Sequence, residues 1–199
     1  MRFFNIDTLG NLDDRSLCIL DAVPEGIGAK YSRLARGRTI AADFPANASI
    51  RMTPDRTGIK LASLIGNTNS FLIVHRDVKD VIAAEHQRRG DRWPIEYLPF
   101  TLVNHKGRPH SADYVLVNPI GVVDCADLAA SQIELFEGDR DKVVSIERLV
   151  LDPEKLQDAP PLFRIRETPG QYTVDEALAA ALQAKGFSNV MLTPIETKA

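Results

Sequence analysis

The segment formed by residues 95–131 constrains the fold of this chain more than any other. Two apolar runs, residues 95–103 and 114–117, are rich in β-branched and aromatic side chains, and a polar loop that contains Gly107 separates them. Glycine adopts a positive φ at little steric cost, so the chain can turn at Gly107. The pattern predicts a β-hairpin whose connecting loop is longer than two residues.

The residues that follow this hairpin are typical of a strand end. Pro119 cannot donate to a ladder and Gly121 frees the backbone, so the second strand should stop there. Asp124 or Asp127 is then placed to cap a short helical turn over residues 128–131. The segment therefore predicts a local structure, but on its own it does not indicate a chemistry.

Elsewhere the chain predicts many short strands and few helices. Helices are expected over residues 76–87 and over residues 173–185, where Thr173 and Glu176 fit a capping box, and one or two helical turns are expected over residues 58–66. The strand candidates are residues 3–6, 17–20, 71–74, 133–136, 143–151, 162–165 and 190–192. Because strands outnumber helices and do not alternate regularly with them, the expected class is α+β, with a mostly antiparallel sheet and a few packed helices.

The length and composition are those of a globular protein. The chain has 199 residues, of which 44% are hydrophobic and 26% charged, close to the average for such proteins. We expect one compact domain over residues 1–199, with two packed lobes that meet near residue 90 as the alternative. The chain contains no apolar run of about 18 residues, which predicts no membrane span. Its start lacks an apolar signal core, which predicts a cytoplasmic protein.

The side chains with catalytic potential do not form a recognisable constellation. Asp124 and Cys125 with a histidine resemble a thiol nucleophile and its partners, but acidic neighbours raise a thiol pKa and oppose activation. His105 and His110 flank the hairpin loop, whereas a metal site needs three or four converging ligands. We therefore predict no catalytic, cofactor-binding or metal-ligating residues, and we expect both Cys18 and Cys125 to be unreactive buried thiols.

Charge is distributed unevenly along the chain, although the net charge is only −3. Residues 25–110 contain 14 Lys and Arg against 8 Asp and Glu, a net of +6, whereas residues 121–160 contain 4 against 10, a net of −6. If folding preserves this polarity, the acidic side would steer a basic partner. The short basic cluster at residues 88–93, in an acidic chain, is too small to predict nucleic-acid binding.

Four short motifs follow one another in the central segment. They are EYLP at residues 96–99, NHKG at 104–107, DYVLVNP at 113–119 and VDCAD at 123–127. In this order they resemble the eleventh family of polymorphic-toxin immunity proteins, which is typified by a myxobacterial protein and was first catalogued as a domain of unknown function. The resemblance covers about residues 40–192, and neither Cys125 nor the first 40 residues contribute to it.

The resemblance implies a bacterial protein that binds a cognate toxin and blocks it without catalysis. The family has no catalytic residues to carry over. Many toxins of such systems are basic nucleases, so an acidic face would raise the rate of encounter. We expect four acidic residues around one turn to rim such a face, and the alternative for them is a solvated hairpin end. They are Glu134, Glu137, Asp139 and Asp141.

Two other functions remain open from the residues alone. One is a structural or regulatory protein-interaction domain without a toxin, which an exposed apolar patch at a symmetric contact would favour. The other is an unrecognised hydrolase or transferase, which a deep pocket that collects Asp124, a histidine and an arginine would favour. An interaction domain of this kind would have a protein partner. Neither a nucleic acid nor a membrane is expected as a partner of this chain, and a homo-oligomer is an open alternative.

Overall fold

Short strands make up most of the regular structure. The computed structural model describes residues 1–90, 92–137 and 139–198, with the side chains of residues 139–142 outside the description. The strands are β1 (Phe3–Ile6), β2 (Ile19–Leu20), β3 (Ser49–Arg51), β4 (Leu64–Asn67), β5 (Leu72–His75), β6 (Ile95–Pro99), β7 (Thr101–Val103), β8 (Pro109–Ser111), β9 (Tyr114–Pro119), β10 (Gln132–Phe136), β11 (Asp139–Arg148), β12 (Val150–Leu151), β13 (Leu162–Ile165), β14 (Thr168–Asp175) and β15 (Leu192–Thr197). The α-helices are α1 (Arg76–Arg88) and α2 (Glu176–Ala184), and 3-10 helices span Gly28–Arg36, Ala41–Asp43 and Pro153–Leu156.

The described strands form four sheets, and three of these sheets are mixed. Their strand orders are β12-β15-β1-β14-β13, β2-β4-β5-β9-β6, β3-β7-β8 and β10-β11. The pairs β2–β4, β3–β7 and β12–β15 are parallel. The predicted α+β class is confirmed, but the expectation of a mostly antiparallel sheet is wrong. Each parallel pair joins strands of two to six residues that are distant in sequence, and hydrophobic periodicity carries no information about such pairing.

The central segment forms the predicted hairpin, with one interruption. β6 pairs with β9 and β7 pairs with β8, both antiparallel, and the buried Phe100 separates β6 from β7. In the connecting loop, Asn104 Oδ1 accepts the backbone N–H groups of Lys106 and Arg108 over 2.9 and 3.1 Å. Gly107 has the expected positive φ, 74°. The side chain of Asn104 therefore closes a turn that the glycine permits.

Both long helices are present, but the second begins later than predicted. Helix α1 follows His75, whose Nδ1 accepts from the backbone N–H of Asp77 over 3.3 Å. Thr173 lies in β14, opposite Asn5 of β1, and does not cap α2. Asp175 is the cap, because its Oδ1 accepts from the Leu178 N–H over 2.8 Å. The predicted capping box is wrong because pairing with β1 keeps residue 173 extended.

The helical turns expected over residues 58–66 are also wrong. Leu64 and Ile65 belong to β4 and pair with Val74 and Ile73 of β5. Both side chains are almost fully buried. A short apolar run between glycines fits a buried strand as well as a helical turn, and here the neighbouring strand decides between the two structures.

Three clusters of buried side chains form the core. One contains Leu34 of the first 3-10 helix and Leu102 of β7. A second packs α1 and α2 on the sheets through residues such as Ile82 and Leu182. The third surrounds Cys125 and includes side chains from β1, β12 and β13. Neither α-helix of the described chain is long and apolar enough to cross a membrane.

Candidate functional site

The β10–β11 hairpin is set apart from the other sheets. Its two strands pair only with each other in the described part of the chain. The successive residues of β10 pair with Arg148, Ile146, Ser145, Val143 and Asp139 of β11. At three of these steps the partners on β11 are not adjacent: one residue is left over at two steps and three residues at the third. These are register shifts of the kind that a β-bulge makes. The hairpin therefore has one regular strand, β10, and one irregular strand, β11.

Apolar side chains of this hairpin are incompletely covered. Ile133, Leu135 and Ile146 are half-buried, whereas Phe136 and Val144 are 54% and 56% exposed. An isolated two-stranded hairpin is at best marginally stable in water. Exposed apolar side chains grouped on one element are typical of a protein contact surface. The hairpin is thus the candidate partner-binding surface of the molecule.

The hairpin also carries the acidic residues that the sequence singled out. Glu134 and Glu137 are exposed, and Glu134 Oε2 accepts from the Ser145 hydroxyl over 3.0 Å. Among the described residues, no Lys or Arg forms an ion pair with either carboxylate. The side chains of Asp139 and Asp141 lie outside the described residues. Two of the four predicted carboxylates are therefore exposed on the hairpin, and neither has a cationic partner among the described side chains.

The base of the hairpin is held to the rest of the molecule by polar contacts. The Ser131 hydroxyl accepts from the Val150 N–H over 2.9 Å and donates to the Val150 carbonyl over 3.2 Å. Arg148 Nε donates to Glu196 Oε2 of β15 over 2.8 Å. This side-chain contact lowers the pKa of Glu196 and raises that of Arg148. The hairpin is therefore anchored at one end and exposed beyond it.

Some charges of the two like-charged segments pair with opposite charges from outside those segments. Asp124 lies 3.4 Å from Arg166 Nη2, and Asp127 lies 2.9 Å from Lys198 Nζ. On the basic side, Arg89 contacts Asp175, which lies outside residues 25–110. Like-charged segments of sequence thus meet opposite charges from elsewhere in the fold. Among the described side chains of the hairpin, Glu134 and Glu137 form no such ion pairs.

The groups weighed as catalytic or metal-binding are buried thiols and histidines that do not gather into a metal site in the described residues. Both Cys18 and Cys125 are buried, and burial raises the pKa of each thiol to about 12. For Cys125 the acidic neighbours Glu167 and Asp124 raise the pKa further, in the direction that the sequence predicted. His105 Nε2 lies 2.8 Å from the Arg56 carbonyl oxygen. In the described ranges no three His, Cys, Asp or Glu side chains converge as metal ligands.

Two of the basic residues near residue 90, Arg88 and Arg89, form ion pairs within the fold. Arg88 forms an ion pair with Glu85 one helical turn away. Arg89 Nη2 donates to Asp175 Oδ2 over 2.8 Å and thereby links the end of α1 to the start of α2. A nucleic-acid surface would keep such guanidinium groups available for phosphates. Their pairing explains them as structural contacts.

A buried arginine forms a polar centre that the sequence does not reveal. Arg164 of β13 is fully buried, and its guanidinium donates to the carbonyl oxygens of Pro169 and Leu34 over 2.5 and 2.6 Å. It also donates to the Tyr172 hydroxyl over 2.7 Å. The run Leu-Phe-Arg-Ile predicts a strand, which is present as β13, and all four of its side chains are buried. No local signal in the sequence shows that Arg164 is buried rather than exposed.

This polar centre extends to Glu96 and Asn118, which lie opposite each other on β6 and β9. Asn118 Nδ2 donates to Glu96 Oε2 over 2.9 Å. Glu96 also accepts the backbone N–H groups of Ile40 and Ala41 over 3.0 Å each, at the start of a 3-10 helix. Its partners are backbone groups and side chains of the fold, so the centre is explained as a structural network.

Similarity to known proteins agrees with the resemblance found in the motifs. The chain matches the model of the Immunity protein family (Imm11) over residues 11–197, and it belongs to that family. The match begins well before residue 40, so the first part of the chain belongs to it as well. No curated protein sequence shows significant similarity to this chain.

Proposed function

We propose that this chain is an immunity protein that binds and neutralises a cognate toxin domain without catalysis. The observation that carries the proposal is the β10–β11 hairpin, an exposed and partly apolar element, in a chain that belongs to an immunity protein family. Inhibition requires a surface that buries a few anchors, of which Phe136 is the largest candidate here. We further propose that residues 1–199 act as one domain in the cytoplasm.

The chemistry of the hairpin favours a basic partner, such as a nuclease domain. Glu134 and Glu137 have no cationic partner within the described structure. A toxin with a cationic substrate-binding face would be attracted to them and would lose that face on binding. We propose that Asp139 and Asp141, which follow on the same hairpin in sequence, add to this charge.

The first experiment is rescue in a bacterial host. The C-terminal domain of the protein encoded by the adjacent gene would be expressed with and without this chain, and survivors would be counted. The proposal predicts survival only with this chain, and a complex of the two proteins that copurifies. Undiminished killing in the presence of folded chain would contradict it.

The second experiment tests the acidic residues. Reversing the charges of Glu134, Glu137, Asp139 and Asp141 to Lys should lower the association rate at low salt by about tenfold or more, with a smaller effect at high salt. The control reverses the same number of exposed acids elsewhere. These are Asp13, Asp55, Glu154 and Asp158. Equal association rates for the two variants would remove the hairpin from the proposal.

A further inference from the structure

We infer that the toxin domain adds an extended cationic segment to the free edge of β10, as a third strand of the β10–β11 sheet. The inference deepens the proposed function and rests on it. It specifies how the partner is held and which chemistry the partner must present. Strand addition of this kind uses main-chain hydrogen bonds for affinity and alternate side chains for specificity.

The two edges of the hairpin differ in regularity. Adjacent residues of β10 pair with residues of β11 that are not adjacent. Glu147 of β11 has no partner on β10, because Gln132 and Ile133 pair with the residues on either side of it, and Val144 is left out in the same way between the partners of Glu134 and Leu135. Bulges bend a strand and interrupt its row of outward N–H and C=O groups, which protects an edge from pairing. All five residues of β10 follow one another without such an insertion. The regular row of donors and acceptors therefore lies on the outer edge of β10.

Nothing in the described part of the chain occupies this edge. The backbone groups of residues 132–136 form ladder contacts with β11 alone, and no turn or loop hydrogen bond reaches them from another segment. A third strand would satisfy these groups and would cover the half-buried apolar side chains Ile133 and Leu135. The edge is thus accessible to a partner, and its backbone groups and apolar side chains are only partly satisfied.

The side chains of β10 specify the added strand. Ile133 and Leu135 are half-buried, whereas Gln132, Glu134 and Phe136 are exposed. Cross-strand neighbours on one face of a sheet interact directly. A segment that places Lys or Arg beside Glu134 and apolar residues beside Ile133 and Leu135 would match both faces. The preferred segment therefore alternates cationic and apolar residues.

The same charges disfavour a second copy of this chain as the occupant. In an antiparallel pair of two β10 strands centred on residue 134, the Glu134 side chains of the two copies would lie opposite each other. Like charges directly opposite on neighbouring strands are destabilising. Glu134 therefore discourages self-association at this edge and favours a cationic segment of another protein.

Amide hydrogen exchange measured by NMR tests the inference on the full chain. The probe is the catalytically inactivated C-terminal domain from the adjacent gene. In an antiparallel ladder every second N–H points to each side. We expect the outward amides of residues 132–136 to gain about tenfold or more in protection in the complex, while the alternate amides keep the protection that β11 already provides. The exposed edge strand β8 serves as the internal control and should not change.

Each outcome of this measurement is decisive. A complex that forms with protection on β11, or on β10 without alternation, overturns strand addition and leaves the proposed function standing if rescue is also observed. Failure of both binding and rescue overturns the proposed function together with this inference. Alternating protection on β10 supports both.

A pair of substitutions tests the chemistry of the occupant. Glu134→Lys should raise the Kd of the complex by about tenfold at low salt, and Glu134→Gln by less, because only the first adds a like charge beside the cationic segment. If the native chain and both variants bind with equal affinity, in a complex that shows alternating protection, the inference that the segment is cationic is wrong.

Discussion

The guanidinium carbon of Arg164 lies 4.1 Å from the centre of the Tyr172 ring, and the same guanidinium donates to the Tyr172 hydroxyl over 2.7 Å. No carboxylate of the described residues forms an ion pair with Arg164. Its charge is dispersed over the ring face and over carbonyl oxygens, including that of Leu34 near the end of a 3-10 helix. The hydroxyl of Tyr172 also accepts from the Leu72 N–H over 3.1 Å. One side-chain pair thus connects two sheets and a helix.

The first prediction is that Arg164→Met lowers the free energy of unfolding by about 3 kcal/mol, because the carbonyls that Arg164 satisfies would stay buried without partners. The measurement is urea unfolding followed by circular dichroism. The control is Arg166→Met, two residues away, whose exposed side chain pairs with Asp124. A surface pair of this kind contributes under about 1 kcal/mol. Similar losses for both variants would mean that the buried contacts of Arg164 are not important for stability.

The second prediction concerns the start of α2. Asp175→Ala should lower the free energy of unfolding by about 2 kcal/mol, because it removes both the cap on the Leu178 N–H and the partner of Arg89. Asp80→Ala on the exposed surface of α1 is the control and should change stability by less than about 0.5 kcal/mol. Thermal and urea unfolding of the two variants would be compared. An Asp175→Ala protein as stable as the control would show that neither contact stabilises the fold.

The third prediction is a pH dependence at Asp127. Its hydrogen bond to Lys198, and next its backbone hydrogen bond to Ala130, lower the pKa of this carboxyl below its ordinary value of 3.8. The folded state therefore favours the charged form, and this stabilisation is present above about pH 3.8 and lost as the pH falls through the lower folded pKa. The melting temperature of the native chain should exceed that of Asp127→Asn near neutral pH. The difference should disappear in acid.

Lys198→Met supplies the matched background for this experiment. Without the ammonium group the largest cause of the lowered Asp127 pKa is absent, so the effect of Asp127→Asn should depend less on pH. The measurement is the melting temperature of the native chain, of each single variant and of the double variant, between about pH 2 and 7. The same pH dependence in both backgrounds would assign the effect to another group.

The fourth prediction is that neither cysteine reacts in the native protein. Cys18 and Cys125 are buried, and burial raises each thiol pKa to about 12. The thiolate is the reactive form, so both thiols should be inert to a disulfide reagent at pH 8 and should react fully after unfolding in guanidinium chloride. Rapid reaction of one thiol in the folded chain would reopen the hypothesis of a nucleophile at Cys125.

Local patterns predicted much of the secondary structure. Strands β1, β5 and β13, helix α1 and the Gly107 turn depend on the alternation, capping and glycine geometry of adjacent residues, so they can be inferred from short stretches. The errors share one cause. Thr173 is a residue type that often caps helices, and residues 58–66 fit a helical turn. In both places, hydrogen bonds to strands elsewhere in the chain determine the conformation instead.

The candidate surface was predicted in part. The turn between two strand candidates and its acidic residues are visible in the sequence, as Glu134 and Glu137 illustrate. The positions of the other strands decide whether that hairpin joins a larger sheet. In the structure β10 and β11 form a separate two-stranded sheet. Arg164 could not be predicted, because only the packing of distant segments around β13 determines whether its side chain meets water or carbonyl oxygens.

The amino-acid sequence by itself determined the hairpin of residues 95–117, the first helix, the α+β class and the family resemblance, because each depends on residues close together in the chain. The tertiary structure alone decided the parallel strand pairs, the cap at Asp175, the burial of Arg164 and the free edge of β10. These features depend on which distant segments meet, and that outcome follows from the free energy of the whole packed chain rather than from any local pattern.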